Sequence, residues 1–232
     1  MDLAKLALHV PTILFPRPGV DLSRWAVIAC DQYTAEPEYW AAVDQLVSES
    51  PSTLRLTFPE VFLGKGDETE RIAAINSAMQ QYLADGTLRE LPPGFVLLDR
   101  QTSHVPSRKG LMVALDLEHY DYLPGAQTLI RATEGTILDR LPPRIRVREK
   151  APIELPHIMV LIDDPEQTVI EPLFAAQLPL LYDFELMRSG GRLRGWHVDE
   201  PALIEQIGAA LERLADPQRF RERYGSDHVM LH

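Results

Sequence analysis

Six basic residues crowd one stretch of an otherwise acidic chain. Between Ile130 and Lys150 stand Arg131, Arg140, Arg144, Arg146, Arg148 and Lys150, against Glu134, Asp139 and Glu149. Six basic minus three acidic residues leaves this segment at +3. The whole chain, with 34 acidic and 23 basic residues, has a net charge of −11. A guanidinium is a planar fork of donors that matches phosphate or carboxylate, so an anionic ligand would be drawn here. Arg131 and Arg140 are the stronger candidates, because polar residues of turn-forming character surround them. The alternation of Arg144, Arg146 and Arg148 also fits a solvent-facing strand edge, where charge guards against aggregation and needs no ligand.

Carboxylates form the second group. Three apolar, strand-like runs end in them: Cys30 leads to Asp31, Leu98 to Asp99, and Ile162 to Asp163-Asp164. In open α/β sheets ligands bind beyond the carboxyl ends of strands, which makes these aspartates candidate substrate or metal contacts. Aspartate equally favours turns and caps after any strand. Asp163 and Asp164 would hold a magnesium ion only with an anionic substrate completing its shell. Other signals are weaker. Gly64-Lys65-Gly66 lacks the spacing and the Lys-Ser/Thr pair of a phosphate loop and reads as a capping turn. Cys30 reads as a buried small residue unless a histidine is brought beside it. His197, between Trp196 and Asp199, would serve as a base or as a core histidine.

The elements that must position these groups are helices alternating with short apolar runs. A helix is expected from about Pro37 to Val47, with Trp40, Val43, Leu46 and Val47 at helical spacing. A second opens at Asp67, carries Ile72, Ile75, Met79, Tyr82 and Leu83 on one face, and stops at Gly86. A third starts near Pro201 with Leu203, Ile204, Ile207, Leu211 and Leu214 inward; Asp216-Pro217 ends it, and a short helix around Arg219 to Arg223 follows. Strands are expected at Trp25 to Cys30, Phe95 to Leu98, Leu111 to Leu117, Gln127 to Ile130, His157 to Ile162, Leu180 to Leu186 and Arg192 to His197. Ser189-Gly190-Gly191 reads as a hairpin turn between the last two. The fold class is α/β or α+β, a mixed and partly antiparallel sheet with helices packed on it.

The chain has 232 residues, 45% of them hydrophobic and 25% charged. That composition excludes collagen-like, disordered and disulfide-scaffold classes. Its 19 prolines punctuate the chain rather than building a linker, so residues 1–232 are expected to form a single folded unit. One cysteine makes no internal disulfide, and no apolar run reaches the roughly 18–20 residues of a membrane span. A cytoplasmic protein is expected, with no membrane partner. The net charge disfavours general nucleic-acid binding, which requires a clustered basic surface.

Four stretches carry a resemblance: residues 26–34 (AVIACDQYT), 110–121 (GLMVALDLEHYD), 130–136 (IRATEGT) and 156–165 (PHIMVLIDDP). In type and order they resemble the prokaryotic domain-of-unknown-function 1015 family over nearly the whole chain. That family has no settled activity. The resemblance implies site positions at Asp31 and Tyr33, at Arg131, Thr133, Glu134 and Arg140, and at Asp163-Asp164. Members are typically longer, and their later half has a motif similar to one in the free-serine kinases of the ParB-like superfamily. The motif does not occur in these 232 residues, so the expectation is the N-terminal portion of a longer architecture or a short member.

The function expected on these grounds is binding of an anionic small molecule, a nucleotide or phosphorylated metabolite, within a phosphotransferase-like protein. Arg131 and Arg140, with Tyr33 and Thr133, would hold the ligand. Asp31 or Glu134 would act as acid or base, and Asp163 and Asp164 would hold magnesium. The alternatives are a non-catalytic protein-interaction module, its arginine-rich segment a contact strip, and a nucleic-acid-associated ParB-like domain.

Overall fold

The computed structural model describes residues 3–28, 33–121, 123, 128–131, 135, 137–138 and 141–225. Its helices there are α1 (Leu22–Trp25), α2 (Pro37–Val47), α3 (Glu68–Ala84), α4 (Leu141–Arg148), α5 (Pro201–Leu214) and α6 (Pro217–Tyr224). The strands are β1 (Leu8–His9), β2 (Leu14–Pro16), β3 (Leu88–Glu90), β4 (Phe95–Gln101) and β5 (Arg108–Met112), then β6 (Ala114–Leu115), β7 (Tyr120–Asp121), β8 (Ile130–Arg131), β9 (Leu180–Leu186) and β10 (Gly191–Val198). Among the described residues, no helix is long and apolar enough to cross a membrane.

The central sheet has the order β5-β4-β10-β9 and is antiparallel throughout. Small pairs flank it: β1–β6 and β2–β3 antiparallel, β7–β8 parallel. Successive residues of a strand face opposite sides, so β4 feeds two cores. Phe95 and Leu97 meet Val198 and the Ile207, Ala210, Leu211 and Leu214 face of α5. Val96 turns the other way, to Ile13 and Leu91, with Phe15, Met112 and Tyr182 around them. Two further clusters lie around α3 (Ile72, Ile75, Met79 and Tyr82 with Trp25 and Val147) and around α2 (Tyr39, Trp40, Val43 and Val47 with Ile28 and Met187). The mixed α/β class is as expected.

The longer helices lie where their stripes and caps place them. Asp67 accepts the amides of Thr69 and Glu70 at 2.9 and 3.1 Å, and Gly86 takes a left-handed φ of 72° just past the end of α3. Several strand expectations do not hold. Trp25 closes the one-turn helix α1, capped by Asp21, and the run behind it is irregular up to Ile28. Leu111 to Leu117 divides between β5, β6 and a tight turn at Leu117–His119. Of the Gln127 to Ile130 run the described residues are 128–130, and among these only Ile130 is in a strand. His157 to Ile162 has β-forming residues but forms no strand: Val160 and Ile162 pack on the α5 core, while Ile158, Met159 and Leu161 are exposed.

The β9–β10 hairpin also turns one residue earlier than expected. The amide of Gly190 donates to the Met187 carbonyl at 3.0 Å, with Arg188 and Ser189 in the two left-handed central positions (φ 56° and 57°). Glycine usually fills such positions. Here Gly191 is needed in the strand instead, since a Cβ on it would lie 1.9 Å from the Gln101 carbonyl oxygen.

One face of the sheet carries a charge ladder. Arg192 binds Asp183 through two bonds of 2.5 and 2.7 Å, and Arg194 binds the buried Asp99 at 2.6 Å. Ser107 adds a 2.7 Å bond to Asp99, whose register partner on β5 is Lys109. The hydrogen bond from Arg192 holds the Asp183 carboxyl below its ordinary range, and the charges of Arg192 and Arg194 add to this. A carboxyl depressed in the folded state stabilises it above the unfolded pKa, and loses that contribution as pH falls through the folded pKa. The Arg192–Asp183 bond therefore weakens in acid.

On the other face, Gly195 makes room for Tyr182. A Cβ at 195 would lie 2.1 Å from Cζ of that ring, which stacks on Phe15 at 5.8 Å. Gly195→Ala must lift the ring from the sheet and is expected to cost about 1–3 kcal/mol. Urea unfolding would measure it, and an unchanged midpoint would refute the close packing.

Candidate functional site

The arginine-rich segment is helical where it is described, which corrects the strand-edge reading of Arg144, Arg146 and Arg148. Pro142 and Pro143 sit in the first turn of α4, where a missing amide proton costs nothing. Pro143 and Val147, four residues apart, form its buried side. The three arginines point outward to carboxylates: Arg144 to Glu60 at 2.6 Å, Arg146 to Glu68 at 2.5 Å, and Arg148 to Glu154. Glu68 opens α3, so the Arg146 pair fastens α4 to that helix. Three of the segment's six cations are thereby neutralised.

Arg131 is placed differently. It closes β8, whose other residue, Ile130, is buried in the α5 core. Its Nε donates to the Thr128 carbonyl at 3.2 Å, while its Nη2 is buried without a hydrogen-bond partner among the described residues. Asp121 is its register partner on β7, yet that carboxylate accepts the Leu123 amide at 2.8 Å in its own turn. A buried guanidinium nitrogen without an acceptor carries a desolvation cost that a bound anion would remove.

Asp163 and Asp164 organise their loop. Asp164 accepts the Thr168 amide (2.6 Å), the Thr168 hydroxyl (3.0 Å) and the Val169 amide (2.8 Å). Asp163 accepts the Tyr224 hydroxyl at 2.9 Å, and this bond, ahead of partial burial and the carboxylate charge, raises the Tyr224 pKa. Glu166 binds Arg219 and Arg223, so the same loop fastens α6. Among the described residues, no group of three or more His, Cys, Asp or Glu side chains is gathered as a metal cage.

Tyr33 lies in the α2 cluster. Its ring stacks on Tyr39 at 3.7 Å and 9°, Trp40 meets Tyr39 edge-on at 5.1 Å, and the Trp40 indole N–H donates to the Tyr33 carbonyl at 2.8 Å. The Tyr39 hydroxyl is buried without a partner. Burial first, then the Tyr33 and Glu36 charges against Arg188, pushes its pKa up to about 12.

Arg131 and the Asp163-Asp164 pair thus flank one core, through Ile130, Ile162 and Val169, while Tyr33 belongs to another. Asp31, Thr133, Glu134 and Arg140 lie outside the described residues, as does Cys30. His197 is a buried strand histidine, its Nε2 3.1 Å from the Pro92 carbonyl and its Nδ1 3.5 Å from Asp199. A carbonyl only accepts, so Nε2 carries the hydrogen. Asp99, read as a strand-end ligand, sits inside β4 and holds the charge ladder. Arg100 and Arg108, absent from the sequence reading, come together only through the β4–β5 register.

Among comparisons with known proteins, a family model described as a protein of unknown function (DUF1015) matches residues 14–218. No curated protein and no solved structure matches the chain.

The Tyr39 hydroxyl gives the cluster a simple test. Removing a buried hydroxyl that has no partner relieves its desolvation, so Tyr39→Phe should leave stability unchanged or raise it by up to about 1 kcal/mol. Thermal unfolding would read this, and a loss of stability would mean that the hydroxyl is hydrogen-bonded.

Proposed function

The chain belongs to the DUF1015 family of proteins of unknown function, and from that premise we propose that it binds an anionic small molecule at Arg131. The observation supporting this is the buried Nη2 of Arg131, a charged donor with no acceptor. The ligand is a nucleotide or a phosphorylated metabolite, whose phosphate oxygens accept from that nitrogen. Thr133 and Arg140 follow closely in the chain as further donors, whereas Tyr33, stacked on Tyr39 in another core, is no part of this site. Asp31 or Glu134 acts as acid or base if a phosphoryl group is transferred. In the nucleotide form of this reading Asp163 meets a magnesium ion whose remaining ligands are phosphate oxygens and water. Asp164 is the poorer ligand of the pair, because its own loop already donates three hydrogen bonds to it.

A thermal-shift series with inorganic phosphate, ADP and ATP, with and without magnesium, tests the proposal. A ligand at a hundredfold excess over its Kd stabilises the folded state by about 2.7 kcal/mol. Arg131→Gln should abolish that shift. Arg131→Lys, which keeps the charge but loses the planar fork, should keep only part of it. A wild-type chain that responds to none of these ligands, or an Arg131→Gln variant with the full response, overturns the proposal. A response to ATP and magnesium but not to phosphate alone selects the nucleotide form.

A second reading, a non-catalytic module that binds a partner protein, draws on the exposed run beyond α4. Ile158, Met159 and Leu161 are 77%, 73% and 60% exposed, and Ile145 of α4 is 51% exposed. Apolar side chains grouped on a surface mark contact sites more often than scattered ones do. Replacing Ile158 and Met159 by serine should lower the fluorescence of the apolar dye ANS and leave the phosphate response unchanged. Unaltered dye binding would remove the basis of this reading.

A further inference from the structure

Arg100 and Arg108 are direct register partners on β4 and β5. Opposed residues of an antiparallel pair project from the same face with Cα atoms about 4.5–5.5 Å apart, and like charges so placed repel. The neighbours of Arg100 on this face are Leu98, Gly110 and Leu193, none of which carries charge. The Nε of Arg100 is buried and has no hydrogen-bond partner. The opposite face of the same sheet is the contrast, for there Arg192 and Arg194 of β10 each hold a carboxylate. The β9–β10 turn ends beside Thr102, the residue after β4, and brings Arg188 to the same end of the sheet. Among the described residues, Arg100, Arg108 and Arg188 have no ion-pair partner.

We propose that Arg100 and Arg108, with Arg188 from the adjoining turn, form a second anion site whose ligand is a dianionic phosphate group. Two arginines on one face, their Cα atoms a strand spacing apart, match the charge and the oxygens of one phosphate. The phosphate accepts from the orphaned Nε of Arg100 and turns the repulsion across β4–β5 into a bridge. The site is separate from Arg131 and does not rest on the reading given to that residue.

The test uses the full chain and its Arg108→Gln and Arg131→Gln variants, in phosphate-free buffer at low salt. Arg108 is exposed, so its replacement does not endanger folding. Without phosphate, Arg108→Gln should melt at a higher temperature than wild type, because the repulsion is gone. Added inorganic phosphate should raise the wild-type midpoint and remove or invert that difference. In NMR spectra the Arg100 Nε–H resonance should move on phosphate addition in wild type and in Arg131→Gln, and not in Arg108→Gln. A phosphomonoester titrated in parallel assigns the source: a tighter response means a substituted phosphate, an equal one free phosphate. An Arg100 resonance that stays fixed at saturating phosphate overturns the site, as does an equal effect of chloride at matched ionic strength. Loss of the Arg100 response in Arg131→Gln would also overturn it as a separate site.

Discussion

The pairing of β4 with β10 brings together residues almost a hundred positions apart, and the arrangement of the other elements depends on it. Asp99 and Arg194, 95 residues apart in sequence, meet at 2.6 Å only because Arg194 lies opposite Asp99 in that register. Closing so long a loop carries a large entropic cost before any contact returns it. The return comes on two faces at once: Phe95, Leu97 and Val198 seal against α5, and Val96 seals against Ile13 and Leu91. A slip of one residue would exchange these faces, sending Asp99 into the Val96 side and Arg100 into the α5 core. The pairing of buried Asp99 with half-exposed Arg194 therefore does more to define the register than to add stability, since burying the carboxylate offsets much of the attraction.

Charge in this chain is better understood by partner than by sum. A total of −11 suggests an acidic surface, yet arginine after arginine ends on a carboxylate that ties two elements together. Arg144 and Arg146 join α4 to the region before and at the start of α3, Arg219 and Arg223 join α6 to the Asp163 loop, and Arg55 reaches Asp44 of α2. Against that background a buried guanidinium nitrogen without an acceptor among the described residues stands out. Arg131 and Arg100 are two such cases, on separate parts of the fold.

The helices were legible from sequence because their signals are local. Asp67 caps α3 within three residues, and Pro37 and Pro201 open helices whose stripes span three or four turns. Phe95 and the Leu180 to Leu186 run were legible as strands for a related reason, since both are bounded by turn residues. α4 was not, because Arg144, Arg146 and Arg148 alternate as a strand does, while the deciding contact of Val147 with the α3 cluster is long-range. His157 to Ile162 shows the converse: β-forming residues make a strand only where another strand accepts them. Of the candidate site, Arg131 was legible from its type and surroundings. The loss of Arg144, Arg146 and Arg148 to ion pairs was not, nor was the meeting of Arg100 with Arg108, for both require tertiary positions.

The exposed run at Ile158, Met159 and Leu161 bears on how the protein behaves as a colloid. Molecules with a charge of −11 repel one another at neutral pH, and that repulsion keeps the apolar runs of neighbouring copies apart. The repulsion disappears near the isoelectric point of about 5.1. There, β-forming side chains that lie outside any sheet become freer to pair between chains. The apolar run is thus held apart from its copies both by the charge of the whole chain and by the Asp163-Asp164 pair that follows it.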